Sequence, residues 1–259
     1  MSAPRWSGVV VVLLAGAALA QPEEKPRMQV PEPKREQAPA GDFLLVQVDY
    51  EVADQHRDRF AQAVPELVKF VAQVPRLQLQ ARWRTRSLAH AGIAQATLLY
   101  MTGFDATLRL SEAEKTNLGK YLRGGGFLFA EDIRHADATN GLDGKGAGTV
   151  GTPFDRQFKD LMRDPLVLGG DGDKWEKMPK GHPIYASFYD FPDGPPLGGA
   201  PGGNVFDLEM LRLRGRVAVV FSDLNISYYW GDPLADARER GLQFGANLVV
   251  FAMTQRLGR

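Results

Sequence analysis

The chain has 259 residues, of which 44% are apolar and 24% charged, with 31 Lys+Arg balanced by 31 Asp+Glu. Those proportions are ordinary for a globular protein, and zero net charge provides no whole-molecule field to favour nucleic acid or acidic membranes. Cysteine is absent, which excludes disulfides, thiolate catalysis and sulfur-ligated metal centres.

The N-terminus comes first. Arg5 is the one charge in the opening seven residues, Val9 to Leu14 is apolar without a break, and Ala18-Leu19-Ala20 is a small-x-small cleavage site. This is the layout of a secretory signal peptide over residues 1–20, so export to the periplasm or the extracellular space is expected. The apolar stretch is short for a hydrocarbon core about 30 Å thick. No transmembrane segment is therefore expected in the mature chain, a retained anchor being the other use of these residues. Residues 21–42 carry five prolines among charged and small side chains. Such a segment has too little to bury to offset chain entropy and reads as a flexible linker.

Residues 43–259 read as one α/β domain. Phe43 to Tyr50 is a β-rich run,. Arg59 to Val74 shows a helical stripe at Phe60, Val64, Leu67, Val68 and Val71, with Pro65 marking the start,. Leu77 to Trp83 alternates like a strand, and Ala96 to Met101 is a third strand ending in Thr102-Gly103-Phe104. Ser111 opens a helix with Glu114 three residues on, the capping-box pattern, and Arg123 precedes the glycines that end it,. Gly124-Gly125-Gly126 then feeds the run Phe127 to Ala130, which reads as a buried strand delivering Glu131 and Asp132. The stretch from Asn140 to Asn204 is rich in Gly, Pro and Asp, with a short helix expected at Pro153 to Arg163 and β pieces near Val167 and Tyr185. A long irregular insertion of this kind is usually functional or mobile. Arg216 to Phe221 restores the sheet, and Asp236 to Gln255 is a closing helix. Strand–helix–strand units with short links predict a three-layer, doubly wound, mainly parallel sheet.

Ligands of open α/β sheets bind at the C-terminal ends of the strands. The candidate residues lie there. Glu131 and Asp132 suit an acid/base pair or, with Asp223, a site for a hard divalent cation, the one cofactor this set would take. The same carboxylates serve equally to cap a following helix or to pair with Arg134 or Arg123. Thr102, Gly103 and Phe104 follow the third strand, where amides can hold an anion or simply turn the chain. Ser222 and Asp223 occupy the corresponding place on the last strand. His182, set in an extended conformation by Pro183, titrates near neutrality as a general base or orders the insertion. Trp230, with Tyr228 and Tyr229, offers a stacking wall or core packing. A Gly-x-Ser-x-Gly elbow is missing, so serine hydrolysis has no support. Basic patches with interleaved aromatics are missing too, so nucleic acid is not expected as a partner.

The strand ending in Tyr50, Leu99 to Gly103, Ser111 to Leu122 with Gly124 to Asp132, Phe154-Asp155, His182 to Tyr185, Ser222-Asp223 and Gly245 to Met253 together resemble a bacterial family, the domain of unknown function 4159. The resemblance covers nearly all of Phe43 to Gln255. It implies a flavodoxin-like fold related to class I glutamine-amidotransferase-like domains, and no established activity. Some relatives are membrane-attached and encoded beside MoxR-type ATPases and von Willebrand factor A proteins, which implies an envelope protein partner. In amidotransferase-like domains the strand after the glycine turn ends in a cysteine-bearing elbow. Here Ala130, Glu131 or Asp132 falls at that position. Glu131 stands where the family more often shows Asp.

Two functional expectations follow. The first is a non-catalytic envelope domain that binds a ligand or protein partner at the strand C-terminal rim, through Tyr50, Thr102, Gly103, Phe104, Glu131, Asp132, His182, Ser222, Asp223 and Trp230. The second is a metal-assisted hydrolase in which Glu131, Asp132 and Asp223 hold the cation and His182 moves a proton.

Overall fold

Residues 41–50, 62–103, 108–132, 153–196, 208–233 and 237–257 are described by the computed structural model. Strand β1 (Gly41–Val48) buries Phe43, Leu45, Val46 and Val48, so both of its faces are covered, as the run of apolar residues requires. Helix α1 (Ala63–Gln73) presents Val64, Leu67, Val68 and Val71 to the core. It begins two residues before Pro65, which sits in the first turn where its missing N–H costs nothing. β2 (Leu79–Arg86) is followed by a 3-10 turn over Ala91–Gln95 and by β3 (Leu98–Gly103). Helix α2 (Glu112–Arg123) has the expected capping box, Ser111 and Glu114 bonding reciprocally. The glycine turn leads into β4 (Leu128–Asp132). There Gly125 has φ +93, and a Cβ on Gly126 would drive into the Tyr121 ring.

Helix α3 spans Pro153–Arg163. The β pieces expected near Val167 and Tyr185 are not formed. Val167 lies in a turn closed on Asp164, and Tyr185 lies in a 3-10 turn over Pro183–Ala186. Among the described residues of this region the strand is β5 (Trp175–Lys177). It pairs antiparallel with β6 (Glu209–Leu213), which in turn pairs antiparallel with β7 (Arg216–Ser222). Arg214 (φ 51) and Gly215 (φ 80) form the β6–β7 link, the positive dihedrals of a tight two-residue hairpin. A short helix α4 (Ile226–Gly231) and the long α5 (Arg238–Leu257) complete the chain.

The seven strands form one sheet in the order β2-β1-β3-β4-β7-β6-β5. β2, β1, β3, β4 and β7 run parallel. One face packs against α1, α4 and α5 and the other against α2 and α3, giving three layers. α5 is apolar nearly all round, with Leu242, Phe244, Leu248, Val249 and Val250 all buried, as a fully enclosed helix must be. Among the described residues, no helix is long and apolar enough to cross a membrane.

Candidate functional site

β4 carries Glu131 and Asp132 to the C-terminal edge of the sheet, and neither is exposed. Neighbouring strand residues face opposite sides. Phe127 and Phe129 pack with α1, α4 and α5, whereas Leu128 and Ala130 pack with α2 and α3. Glu131 therefore faces the first layer and Asp132 the second. The two carboxylates are adjacent in sequence and divided by the sheet.

Glu131 is held by four donors. Its Oε1 accepts from the Ser222 hydroxyl and the Ile226 amide, each at 2.7 Å. Its Oε2 accepts from the Ser227 amide at 2.6 Å and from the Ser227 hydroxyl. A carboxylate has about four lone-pair sites, so its accepting capacity is filled. The Tyr100 hydroxyl donates to Ser227 Oγ at 2.7 Å, extending the network into the core. Burial pushes the Glu131 carboxyl up to about 7, against the downward pull of its hydrogen bonds from Ser227, Ser222 and Ile226. Burial, with Glu131 nearby, likewise raises the Tyr100 phenol above its ordinary value.

The purpose of this arrangement is visible in α4. Its N-cap residue, Asn225, is left-handed (φ 56) and supplies no side-chain cap. Glu131, 95 residues earlier, accepts from the Ile226 amide instead. Capping of the following helix was one of the uses open for Glu131, beside acid/base work, cation binding and pairing with Arg134 or Arg123. The capped helix is α4, a distant one.

The other expected site residues fall into separate places. Tyr50 donates to the Thr102 carbonyl at 2.6 Å. A Cβ on Gly103 would meet the Phe154 ring and lie 2.6 Å from the Tyr50 hydroxyl. Gly103 is thus required by close packing rather than by a turn of positive φ. Gly103→Ala is expected to lower stability by about 1–3 kcal/mol through overpacking, read as a lower urea midpoint at constant m. Phe104 lies outside the described residues. Ser222 is buried on Glu131, and Asp223 beside it is partly exposed. Trp230 is fully buried, donates to the Gly241 carbonyl at 2.8 Å and packs on Tyr100 and Phe129. It is core, not a stacking wall.

His182 stands apart from Glu131. Its ring packs edge-on to Phe251 at 5.4 Å, and Phe251 in turn meets Phe127, just before the N-terminal end of β4. Glu131 lies near the C-terminal end of the same strand. His182 Nδ1 accepts from the Ile184 amide at 3.3 Å and caps the following 3-10 turn. Burial, with Arg212 nearby, pulls its pKa below the ordinary value, which keeps Nδ1 free to accept. His182 thus orders the turn Pro183–Ala186. Among the described residues, no three His, Asp or Glu side chains gather into a metal-holding group.

Three features escaped the sequence reading. Asn247 on α5 is fully buried; its Oδ1 accepts from the amides of Phe188 (3.1 Å) and Tyr189 (2.7 Å). Its Nδ2 donates to the carbonyls of Ile184 (2.9 Å) and Tyr189 (2.8 Å). An asparagine set within the apolar run Phe244 to Met253 was the available signal. Second, Tyr50, Phe154, Phe158, Phe221 and Trp175 form a ladder of rings with centroids 5.6–6.4 Å apart. Lys159 lies over Phe221 at 5.1 Å and bridges Asp155 (3.0 Å) and Glu209 (2.7 Å). Burial opposes its charge, but the Glu209 hydrogen bond and the Asp155 carboxylate hold its pKa above the ordinary value. The third is a cavity of about 250 Å3 at the N-terminal ends of β3 and β4.

The family model described as Domain of unknown function (DUF4159) matches residues 44–253. No curated protein matches the chain.

Proposed function

Because the chain belongs to the DUF4159 family, we propose that it is an exported, non-catalytic domain that binds a ligand or protein partner in the cell envelope. The observation that carries this reading is the state of Glu131. It lies, with Ala130 and Asp132, at the strand end where amidotransferase-like domains place a nucleophile, and all its acceptor sites are spent on Ser222, Ile226 and Ser227. A carboxylate so enclosed by donors has no lone pair directed toward solvent for a cation or a substrate. The parallel order β2-β1-β3-β4-β7 follows the flavodoxin-like winding 2-1-3-4-5, whose ligand crevice lies between the first and third strands. That supports the finer fold assignment. Export is supported by the charged, apolar and small-residue succession of residues 1–20.

Thermal melting separates binding from metal-assisted hydrolysis. The melting temperature is expected to be the same in EDTA, Ca²⁺, Mg²⁺ and Zn²⁺. A metal-dependent rise that Asp132→Ala removes would transfer the assignment to a hydrolase. Intact-mass measurement of the chain recovered from the envelope or medium should find an N-terminus at Gln21.

A further inference from the structure

The cavity at the N-terminal ends of β3 and β4 lies opposite the rim discussed so far, and no part of the binding role above depends on it. Its walls come from the 3-10 turn Ala91–Gln95, from α2 and from the glycine turn. We propose that it is a binding site for a small organic anion, a carboxylate with an apolar body about the size of a phenyl ring or a branched alkyl chain.

Size sets the first limit. A dry cavity of about 150 Å3 accepts benzene, so the observed volume of about 250 Å3 leaves room for a charged head besides such a body. The apolar walls are Ile93, Ala94 and Tyr121. Tyr121 is a fixed surface rather than a mobile one. Its hydroxyl accepts from the Phe127 amide at 3.1 Å and lies 3.0 Å from the Phe127 carbonyl. Gly126 closes against the face of that ring.

The charge of the lining is one-sided. Lys120 and Asn117 are three residues apart on α2 and line the cavity with His90; residues at this spacing share a helix face. No acidic residue lines it among the described residues. The Asn117 amide donates to the Leu88 carbonyl at 3.0 Å, and an amide nitrogen has a second N–H to offer. Arg86 Nη1 lies 2.6 Å from His90 Nε2, which adds a second guanidinium or ammonium charge to the same neighbourhood. The C-terminus of a helix ordinarily presents bare carbonyls that repel anions. Here three of those carbonyls are taken. The amides of Gly124, Gly125 and Gly126 bond to Lys120, Leu122 and Tyr121, and the Arg216 guanidinium reaches the carbonyl of Leu122. What remains at the mouth is the Lys120 ammonium, for which the described residues supply no carboxylate. An anionic head answers it, and an uncharged ligand of the same shape does not.

The probes are benzoate, phenylacetate and isovalerate, each beside its amide, titrated into the full chain by ligand-observed NMR and thermal melting. At least one carboxylate is expected to bind saturably while its amide does not. Lys120→Gln, at an exposed position, should weaken that carboxylate about ten-fold, the scale of one charge-assisted hydrogen bond. Ala94→Trp, at the exposed margin of the cavity, should abolish binding. The proposal is overturned if no carboxylate saturates, if amides bind equally well, or if Lys120→Gln leaves the affinity unchanged. Inorganic phosphate serves as the control for charge alone and is expected to bind no better than the amides.

Discussion

Glu131→Ala is expected to lower the stability of the domain by on the order of 3–5 kcal/mol, because two buried amides and two buried hydroxyls lose their acceptor and each such group costs about 1–3 kcal/mol. Water entering the space recovers part of that sum. The loss concentrates on α4, whose first amides have no local cap, so hydrogen exchange should accelerate at Ile226 and Ser227 before the rest of the sheet. Glu131→Gln keeps one accepting oxygen and should cost about half as much. The pH dependence has a definite sign. Burial raises the folded-state value from 4.5 to about 7, so the proton is held more tightly folded than unfolded. The contribution of this group is fully present below pH 4.5 and is lost as the pH rises through 7,. The margin of the wild type over Glu131→Gln in urea midpoint should narrow across that interval. A margin that widens with pH would show that the four donors outweigh burial.

Asn247→Ala should have an effect of similar size, about 3–4 kcal/mol, for a related reason. Oxygen and nitrogen of this amide meet two amides and two carbonyls of Ile184, Phe188 and Tyr189, and no other residue type presents both kinds of group in this shape. Asn247→Asp is the sharper test. It keeps the volume and the acceptor but turns a second oxygen toward the carbonyls of Ile184 and Tyr189. It should be as damaging as alanine at neutral pH and partly recover in acid, when the carboxyl regains a proton to donate. Protease sensitivity around Phe188 measures the outcome. Unchanged cleavage there would mean that the ring contacts of Phe188, Phe191 and Arg240 hold the segment without the amide.

The parallel half of the molecule was legible because its signals are local. The apolar run of β1, the stripe of α1 and the capping box of α2 each lie within a dozen residues, and the observed boundaries differ from expectation by a few positions. β6 was missed because Glu209–Leu213 alternates weakly and its turn is Arg-Gly rather than the more familiar Asn-Gly,. α4 was missed because its cap comes from Glu131, far away in the chain. Of the candidate site, the position of Glu131 and Asp132 at the strand end was readable, since a glycine turn and an apolar run fix it. Their division between two layers follows from strand alternation. The saturation of Glu131 was not readable, because Ser222 and Ser227 lie 91 and 96 residues from it. Nor was the separation of His182, which depends on where α5 sets Phe251.

The ladder of rings from Tyr50 to Trp175 has a consequence for how the sheet's antiparallel margin stays in place. β5 contributes three residues and, among the described residues, pairs as a strand with β6 alone, so backbone pairing alone would leave it a loose flap. Trp175 wedges that flap against Phe158 and Phe221, and those rings stack onward through Phe154 to Tyr50, just past the end of β1. Peeling the margin away would therefore expose aromatic surface as far in as the middle of the sheet, which couples its fraying to the melting of the whole.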